Sequence, residues 1–261
     1  MRKTEIAIDY RKYPEEFWEL LKNSRVYDSS SSPEAKVIYV DKDEGFFIKI
    51  GAKGSLCREA EMTAYFNSLG LSARVLKYIS SEKDYLLTDK INGEDCTHFE
   101  YLEKPEKLCD MIAERLWNLH KQSYSGCPVM NRTEEYLNLA EHNYLNGIFD
   151  SSFASEKFKS ADRNSIWSYV DNNKAALNAD TLIHGDYCLP NILFDKWKFG
   201  GFIDVGNGGV GDKHIDLFWG AWTLEFNLKT SKFKDRFFDA YGRNNVDLEI
   251  VELVGAIECF G

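Results

Sequence analysis

Long hydrophobic runs are missing from this 261-residue chain: no apolar stretch approaches the ~20 residues that a membrane-spanning helix needs. Near the start, Arg2 and Lys3 lead into Thr4-Glu5-Ile6-Ala7-Ile8-Asp9, which is too polar for the core of a signal peptide. Basic residues are also short. Lys and Arg number 32 against 42 Asp and Glu, a net charge of -10, which argues against a phosphate-neutralising nucleic-acid surface and suits a cationic ligand. The six cysteines show neither CxxC pairing nor zinc-ligand spacing, so they are read as reduced and structural. Among the five histidines, His98, His142 and His214 lack a metal-ligand partner at helical spacing. Internal repeats are absent, and Ser29 to Ser32 is the single low-complexity tract. With 44% hydrophobic and 28% charged residues, the composition is that of a soluble globular protein with length for one large or two small domains. A cytoplasmic protein, bound to neither membrane nor nucleic acid and present as a monomer or weak dimer, is expected.

What is present is concentrated between Thr181 and Asp216. The segment reads as a short strand at Thr181 to Ile183 and a polar loop from His184 to Asn191. A hairpin follows, with arms Ile192 to Phe194 and Phe199 to Ile203, and then Asp204. An antiparallel hairpin returns its ends to one place, so Asn191 and Asp204 are brought together where His184-Gly185-Asp186 emerges. Their side chains are hard oxygen ligands of the kind that Mg²⁺ takes. Asn191 and Asp204 are therefore the candidate metal ligands, and Asp186 is left to meet a substrate hydroxyl as the candidate catalytic group.

The spacing His-x-Asp-x4-Asn, followed beyond a hairpin by an Asp, resembles the catalytic loop of kinases. A closer match lies in His184-Gly185-Asp186, Pro190-Asn191, Gly201-Phe202-Ile203-Asp204-Val205-Gly206 and Asp212-x3-Asp216. Together these resemble the aminoglycoside phosphotransferases, most of all the 3'-phosphotransferases. The resemblance is strongest at 181–216, moderate at 46–93 and thin at 130–175. It implies an α+β, two-lobed, protein-kinase-like fold. An N-terminal antiparallel sheet plus one helix would form a nucleotide-binding lobe over 1–91, and a mainly helical lobe over 92–261 would carry catalysis and substrate binding. It also implies transfer from ATP, or alternatively GTP, with Mg²⁺, to a hydroxyl of an aminoglycoside, the 3'-hydroxyl by closest match, and hence antibiotic resistance. His184 and Asp216 are expected to brace the loop.

In the N-terminal part, Lys36 to Val40 and Phe46 to Ile50 read as strands joined by a turn ending in Gly45. Phe47 and Lys49 share a face of the second strand. A kinase-like fold would set Phe47 against adenine and Lys49 on the α- and β-phosphates. Gly54 to Leu69 has helical periodicity and is stopped by Gly70. Glu59 and Glu61 differ by about 200° around such a helix, so only one can face Lys49. The resemblance selects Glu59, with Glu61 the alternative. It also points to the carbonyl of Asp89 and the amide of Ile91 as readers of the adenine edge. The loop Asp28 to Pro33 lacks a Gly-rich signature. Similar phosphotransferases use a Ser-bearing loop there, which makes Ser31 and Ser32 candidates beside the reading as a plain surface loop.

An aminoglycoside carries several ammonium groups, so carboxylates should face it. Glu156 and Glu258 are the candidates. Related enzymes use a C-terminal Phe carboxylate, whereas here Phe260 is followed by Gly261, and both join the candidate substrate contacts. Asn207 stands where those enzymes commonly carry an arginine, and Asn227 where an acid would help. The competing readings are a kinase for choline, homoserine, a macrolide or a fructosamine, and a non-catalytic nucleotide-binding regulator. No Ala-Pro-Glu follows Asp204, which disfavours a protein kinase. His120 is read as a cap or core residue, and Phe218, Trp219, Trp222 and Phe226 as core or as a platform for a sugar ring.

Overall fold

A computed structural model describes residues 4–30 and 35–261, so Ser31 and Ser32 lie outside the described residues. The chain divides into two compact units, 1–98 with 190–206, and 99–189 with 207–261. The segment 190–206, which carries Asn191 and Asp204, groups with the first unit.

In the first unit, strands β1 (Thr4–Glu5), β2 (Arg25–Asp28), β3 (Lys36–Asp41), β4 (Phe46–Ala52), β5 (Val75–Ser80) and β6 (Lys83–Asp89) form an antiparallel sheet in the order β1-β2-β3-β4-β6-β5. Side-chain alternation gives the sheet two apolar faces. On one, Ile38, Val40 and Ile48 pack with Phe17 and Leu21, at the ends of a short helical segment that includes α1 (Trp18–Leu21). On the other, Leu86 packs under Leu56 and Ala60 at the start of α2 (Cys57–Ser68). Asp84 anchors that helix: its buried carboxylate accepts from the Leu56 amide at 2.9 Å, Tyr78 Oη at 2.9 Å and Ser80 Oγ at 2.7 Å. Burial works against the charge, but these donors prevail and hold its pKa at about 2.

The same unit contains a smaller sheet of β7 (Glu94–Asp95), β9 (Ile192–Asp195) and β10 (Lys198–Phe202), in the order β10-β9-β7. Lys196 and Trp197 both have positive φ, 49° and 68°, as a two-residue hairpin turn of type I′ requires. Phe202 N donates to Leu71 O at 2.7 Å, and Ser72 Oγ donates to Phe202 O at 2.8 Å. These bonds fasten the hairpin to the segment after α2.

The second unit is mainly helical: α3 (Phe99–Leu102), α4 (Pro105–His120), α5 (Arg132–Leu145), α6 (Arg163–Asn173), α7 (Lys213–Leu228), α8 (Phe233–Tyr241) and α9 (Leu248–Glu258). Its core gathers Ile166, Val170, Ile183, Val254, Ile257 and Phe260. Asp162 caps α6 by accepting from Ser165 N at 2.7 Å, and Asp212 caps α7 by accepting from His214 N at 2.8 Å. A short antiparallel pair, β8 (Thr181–Ile183) with β11 (Gly209–Gly211), carries the polar loop that follows Ile183.

Candidate active site

The candidate residues fall into two sets, one in each unit. In the first, α2 covers the sheet face that bears Lys49, so Glu59 reaches across to it. Lys49 Nζ lies 2.9 Å from Glu59 Oε1, 2.8 Å from Glu59 Oε2 and 2.8 Å from Asp204 Oδ1. Burial disfavours the ammonium, but Asp204 and Glu59 outweigh it, and the Lys49 pKa is raised. Burial pushes the Glu59 carboxyl up, and Lys49 pulls it back only part of the way. Glu61 lies instead near Cys57, with Oε1 3.9 Å from Sγ.

Phe47, two residues before Lys49 on β4, is partly buried with its ring 5.2 Å from Tyr39. Asp89 ends β6 and accepts from the Arg74 amide at 2.7 Å. The Ile91 side chain lies against Gly200 and Gly201, where a Cβ would meet it at 3.2 and 2.8 Å. On the hairpin, Ile203 N donates to Asn191 O at 3.0 Å and Ile192 pairs with Phe202. The main chains of Asn191 and Asp204 are thereby adjacent. Asn191 is buried, and Asp204 adopts the left-handed backbone region, with φ of 55°.

In the second unit, Asp216 fixes the loop after β8. Its Oδ2 accepts from His184 N at 2.7 Å and its Oδ1 from Gly185 N at 2.7 Å, the bracing role expected for it. His184 is fully buried, and its Nδ1 lies 3.3 Å from the Asp186 amide. Gly185 has φ of 80°, and a Cβ there would come within 1.9 Å of Asn207 O, so no larger residue fits. Between Thr181 and Leu189, every residue is buried except Asp186. The loop spends its hydrogen bonds on the core and presents one carboxylate.

Glu258 is also buried: its Oε1 accepts from Tyr136 Oη at 2.8 Å and from Trp219 Nε1 at 2.9 Å. Burial raises its pKa to about 7 against the pull of those two donors, and the charge of Asp186 adds to the rise. Phe260 is a core residue, 0% exposed, with its ring 5.4 Å from both Phe149 and Trp167. Beyond it Gly261 is exposed, placed where a Cβ would meet Glu258 Oε2 at 2.6 Å. Glu156 is a surface residue paired with Lys159 at 2.9 Å. Asn207 is exposed, its carbonyl accepting from Arg132 Nε at 2.7 Å, and Asn227 donates to Thr223 O at 2.8 Å.

Residues 30–252 match the phosphotransferase enzyme family. A relative from Lactococcus lactis subsp. lactis (strain IL1403), named probable aminoglycoside 3'-phosphotransferase, is 46% identical over 258 residues, 98% of each chain. The chain belongs to the aminoglycoside phosphotransferase family. The kinase-like fold agrees with solved members of the family. An aminoglycoside-3'-phosphotransferase of type VIII superposes with a TM-score of 0.74 at 21% identity, over 99% of this chain and 94% of that one. An aminoglycoside phosphotransferase of Streptomyces rimosus, solved with ADP and streptomycin, gives 0.70 at 18% identity over 86% and 90%.

In this phosphotransferase the donors at the hairpin suit a hard cation. Among the described residues, no cluster of three or more His, Cys, Asp or Glu is assembled for a metal. Asn191 and Asp204 offer oxygen only, and Asp204 already holds a cationic partner in Lys49. Mg²⁺ commonly takes one or two protein oxygens and fills the rest of its sphere with water and phosphate, so this pair fits it. Sequence reading missed two residues behind the Asp186 loop. The His120 ring places Nδ1 2.8 Å from Tyr241 Oη and Nε2 3.2 Å from Asp216 Oδ2. Arg132 holds the carbonyl of Asn207 that packs against Gly185. Helical periodicity assigned His120 to the core or a cap, but its partners lie 121 and 96 residues away, and no local pattern names them.

Proposed function

We propose that this phosphotransferase moves the γ-phosphoryl group of ATP to the 3'-hydroxyl of an aminoglycoside in the cytoplasm, with Mg²⁺ as cofactor. The observation that carries the reading is Asp186, the one partly exposed residue between Thr181 and Leu189, on a loop braced by Asp216. The name of the Lactococcus relative supports the acceptor class and the position. Residues 1–91 are read as the nucleotide-binding lobe and 92–261 as the lobe for catalysis and substrate.

Phosphoryl transfer passes through a loose transition state, so positioning and charge neutralisation do most of the work. Lys49, kept extended and charged by Glu59, binds the α- and β-phosphates. Phe47 packs on the adenine, and the Asp89 carbonyl and Ile91 amide read its edge. Asn191 and Asp204 hold Mg²⁺, which when bound neutralises charge on the phosphate oxygens. Asp186 accepts a hydrogen bond from the acceptor hydroxyl, orients it and takes its proton late in the transfer. Glu258 meets ammonium groups of the substrate, beside the exposed Gly261.

Nucleoside diphosphate release would be measured with kanamycin, neomycin, choline, homoserine and erythromycin, and the product phosphate located by NMR. Turnover with the aminoglycosides, lost on a 3'-deoxy analogue, is expected. Turnover confined to choline, homoserine or erythromycin would replace the acceptor class.

A further inference from the structure

Helix α5 opens on a residue that its place disfavours. Arg132 is the first residue of the helix, at the positive end of the macrodipole, and it is 9% exposed. Guanidinium groups are seldom buried, and acids rather than cations suit a helix N-terminus. Glu134 and Glu135 in the same turn offset part of the mismatch, with Glu135 Oε2 3.8 Å from Arg132 Nη1. Helix stability gives little reason for a guanidinium here, whereas its hydrogen-bond partner does.

Arg132 Nε donates to Asn207 O at 2.7 Å. That carbonyl is the same group that a Cβ on Gly185 would strike, at 1.9 Å from the oxygen and 2.4 Å from the carbon. The Asn207 main chain is thus a wall against which the Gly185 turn closes, and Asp186 is the next residue. Asp216 holds the turn through the His184 and Gly185 amides. Two amide bonds leave the peptide free to pivot about them, and the wall at Asn207 stops the pivot.

The start of α5 is itself anchored, so Arg132 reaches from a fixed base. Thr133 Oγ1 donates to Asn178 O at 2.7 Å and accepts from Asp212 N at 2.9 Å, and Val129 O accepts from Val210 N at 2.8 Å. One turn further on, Tyr136 Oη donates to Glu258. Burial, with the charge of Asp186 added, raises the Glu258 pKa, and Arg132 works against that rise. The guanidinium therefore also brings positive charge to the side of the site where Glu258 and Asp186 repel each other.

We propose that Arg132 is a positioning residue for phosphoryl transfer: by holding the Asn207 carbonyl against Gly185, it keeps the Asp186 carboxylate in line with the acceptor hydroxyl. The inference rests on the role proposed above for Asp186. Arg132 acts through the loop and not by contact with nucleotide or acceptor. A guanidinium suits the task because its N–H groups lie in a rigid plane, whereas an ammonium on a flexible stem can reach the carbonyl without fixing it.

Arg132→Met and Arg132→Lys would each be made in the unaltered protein and in Asp186→Asn. All would be assayed with Mg-ATP and whichever acceptor of the panel above the unaltered protein phosphorylates. The expected result is a kcat lowered about 10- to 100-fold in Arg132→Met, with the KM for ATP unchanged, because a small misplacement of the reacting groups costs that much. Arg132→Lys recovers part of the loss, and it carries the same comparison where the methionine variant fails to fold. In the Asp186→Asn background either substitution should cost less than about threefold more, since residues that act as a unit are not additive. Full kcat in Arg132→Met, or the same fold loss in both backgrounds, overturns the inference and leaves the proposed function standing. Full turnover in Asp186→Asn alone overturns the role of Asp186 and the inference with it.

Discussion

Lys49 and Asp204, 155 residues apart in the chain, meet with Nζ 2.8 Å from Oδ1. The contact joins strand β4 to the residue just after the β9–β10 hairpin, and Glu59 completes it from α2. An ammonium held between two carboxylates stays charged across the neutral range, because their attraction exceeds the penalty of burial.

Lys49→Met removes the cation and leaves Glu59 and Asp204 repelling each other. The expected outcome is a fall in kcat/KM for ATP of about a hundredfold or more, as for other preorganised phosphate or oxyanion donors. Steady-state kinetics on the variant checks it. Lys49→Arg does not restore the rate, since a planar fork cannot take the place of a compact ammonium between two acids. Full activity in Lys49→Met would remove the clamp from the mechanism.

Asp216 accepts from two loop amides and lies within hydrogen-bond reach of His120. Asp216→Ala leaves those buried N–H groups without their acceptor, at a cost of about 1–3 kcal/mol for each. Urea unfolding should show an unfolding free energy lowered by several kcal/mol in total and a correspondingly lower midpoint, with turnover reduced in the molecules that remain folded. Unchanged stability would mean that the loop is held by other contacts.

The Glu258 carboxyl is raised by burial to about 7, from an ordinary value of 4.5. An acid whose pKa rises on folding stabilises the fold in its protonated form. That contribution is complete below pH 4.5 and is lost as pH climbs through about 7. Glu258→Gln has no proton to lose and still offers an oxygen to Tyr136 and Trp219. Relative to the unaltered protein, the variant should gain stability with pH, by about 3 kcal/mol between pH 4.5 and pH 8. Denaturant curves across that range test it; a constant difference between the two proteins rules out the raised pKa.

Much of this architecture was legible because local chemistry agreed with the fold. The strands expected at Lys36 to Val40 and Phe46 to Ile50 fall within β3 and β4, and α2 ends just before Gly70, which has φ of 73°. Helical geometry allows only one of Glu59 and Glu61 to face Lys49, the family resemblance picks Glu59, and Glu59 is the one found 2.9 Å from Lys49 Nζ. Other parts left no local trace. Strand β11 is Gly-Val-Gly, a sequence with little strand propensity, and it exists because Ile183, Leu182 and Thr181 supply a partner. The two-residue strand β7 is likewise held by β9. Phe260 reads as a chain-end aromatic but fills the core of the second unit. Arg132 and His120 act on partners far along the chain, which spacing alone cannot identify.

The most direct test places Asp186→Asn beside the unaltered protein, with Mg-ATP and kanamycin, and measures nucleotide affinity and phosphokanamycin formed per unit time. The expected result is an unchanged nucleotide Kd with turnover reduced by about 10²–10⁴-fold, because the acceptor hydroxyl loses its base and its orienting carboxylate. Turnover retained in the variant would contradict the account, since Asp186 is the one carboxylate between Thr181 and Leu189 and the one residue there that is not fully buried.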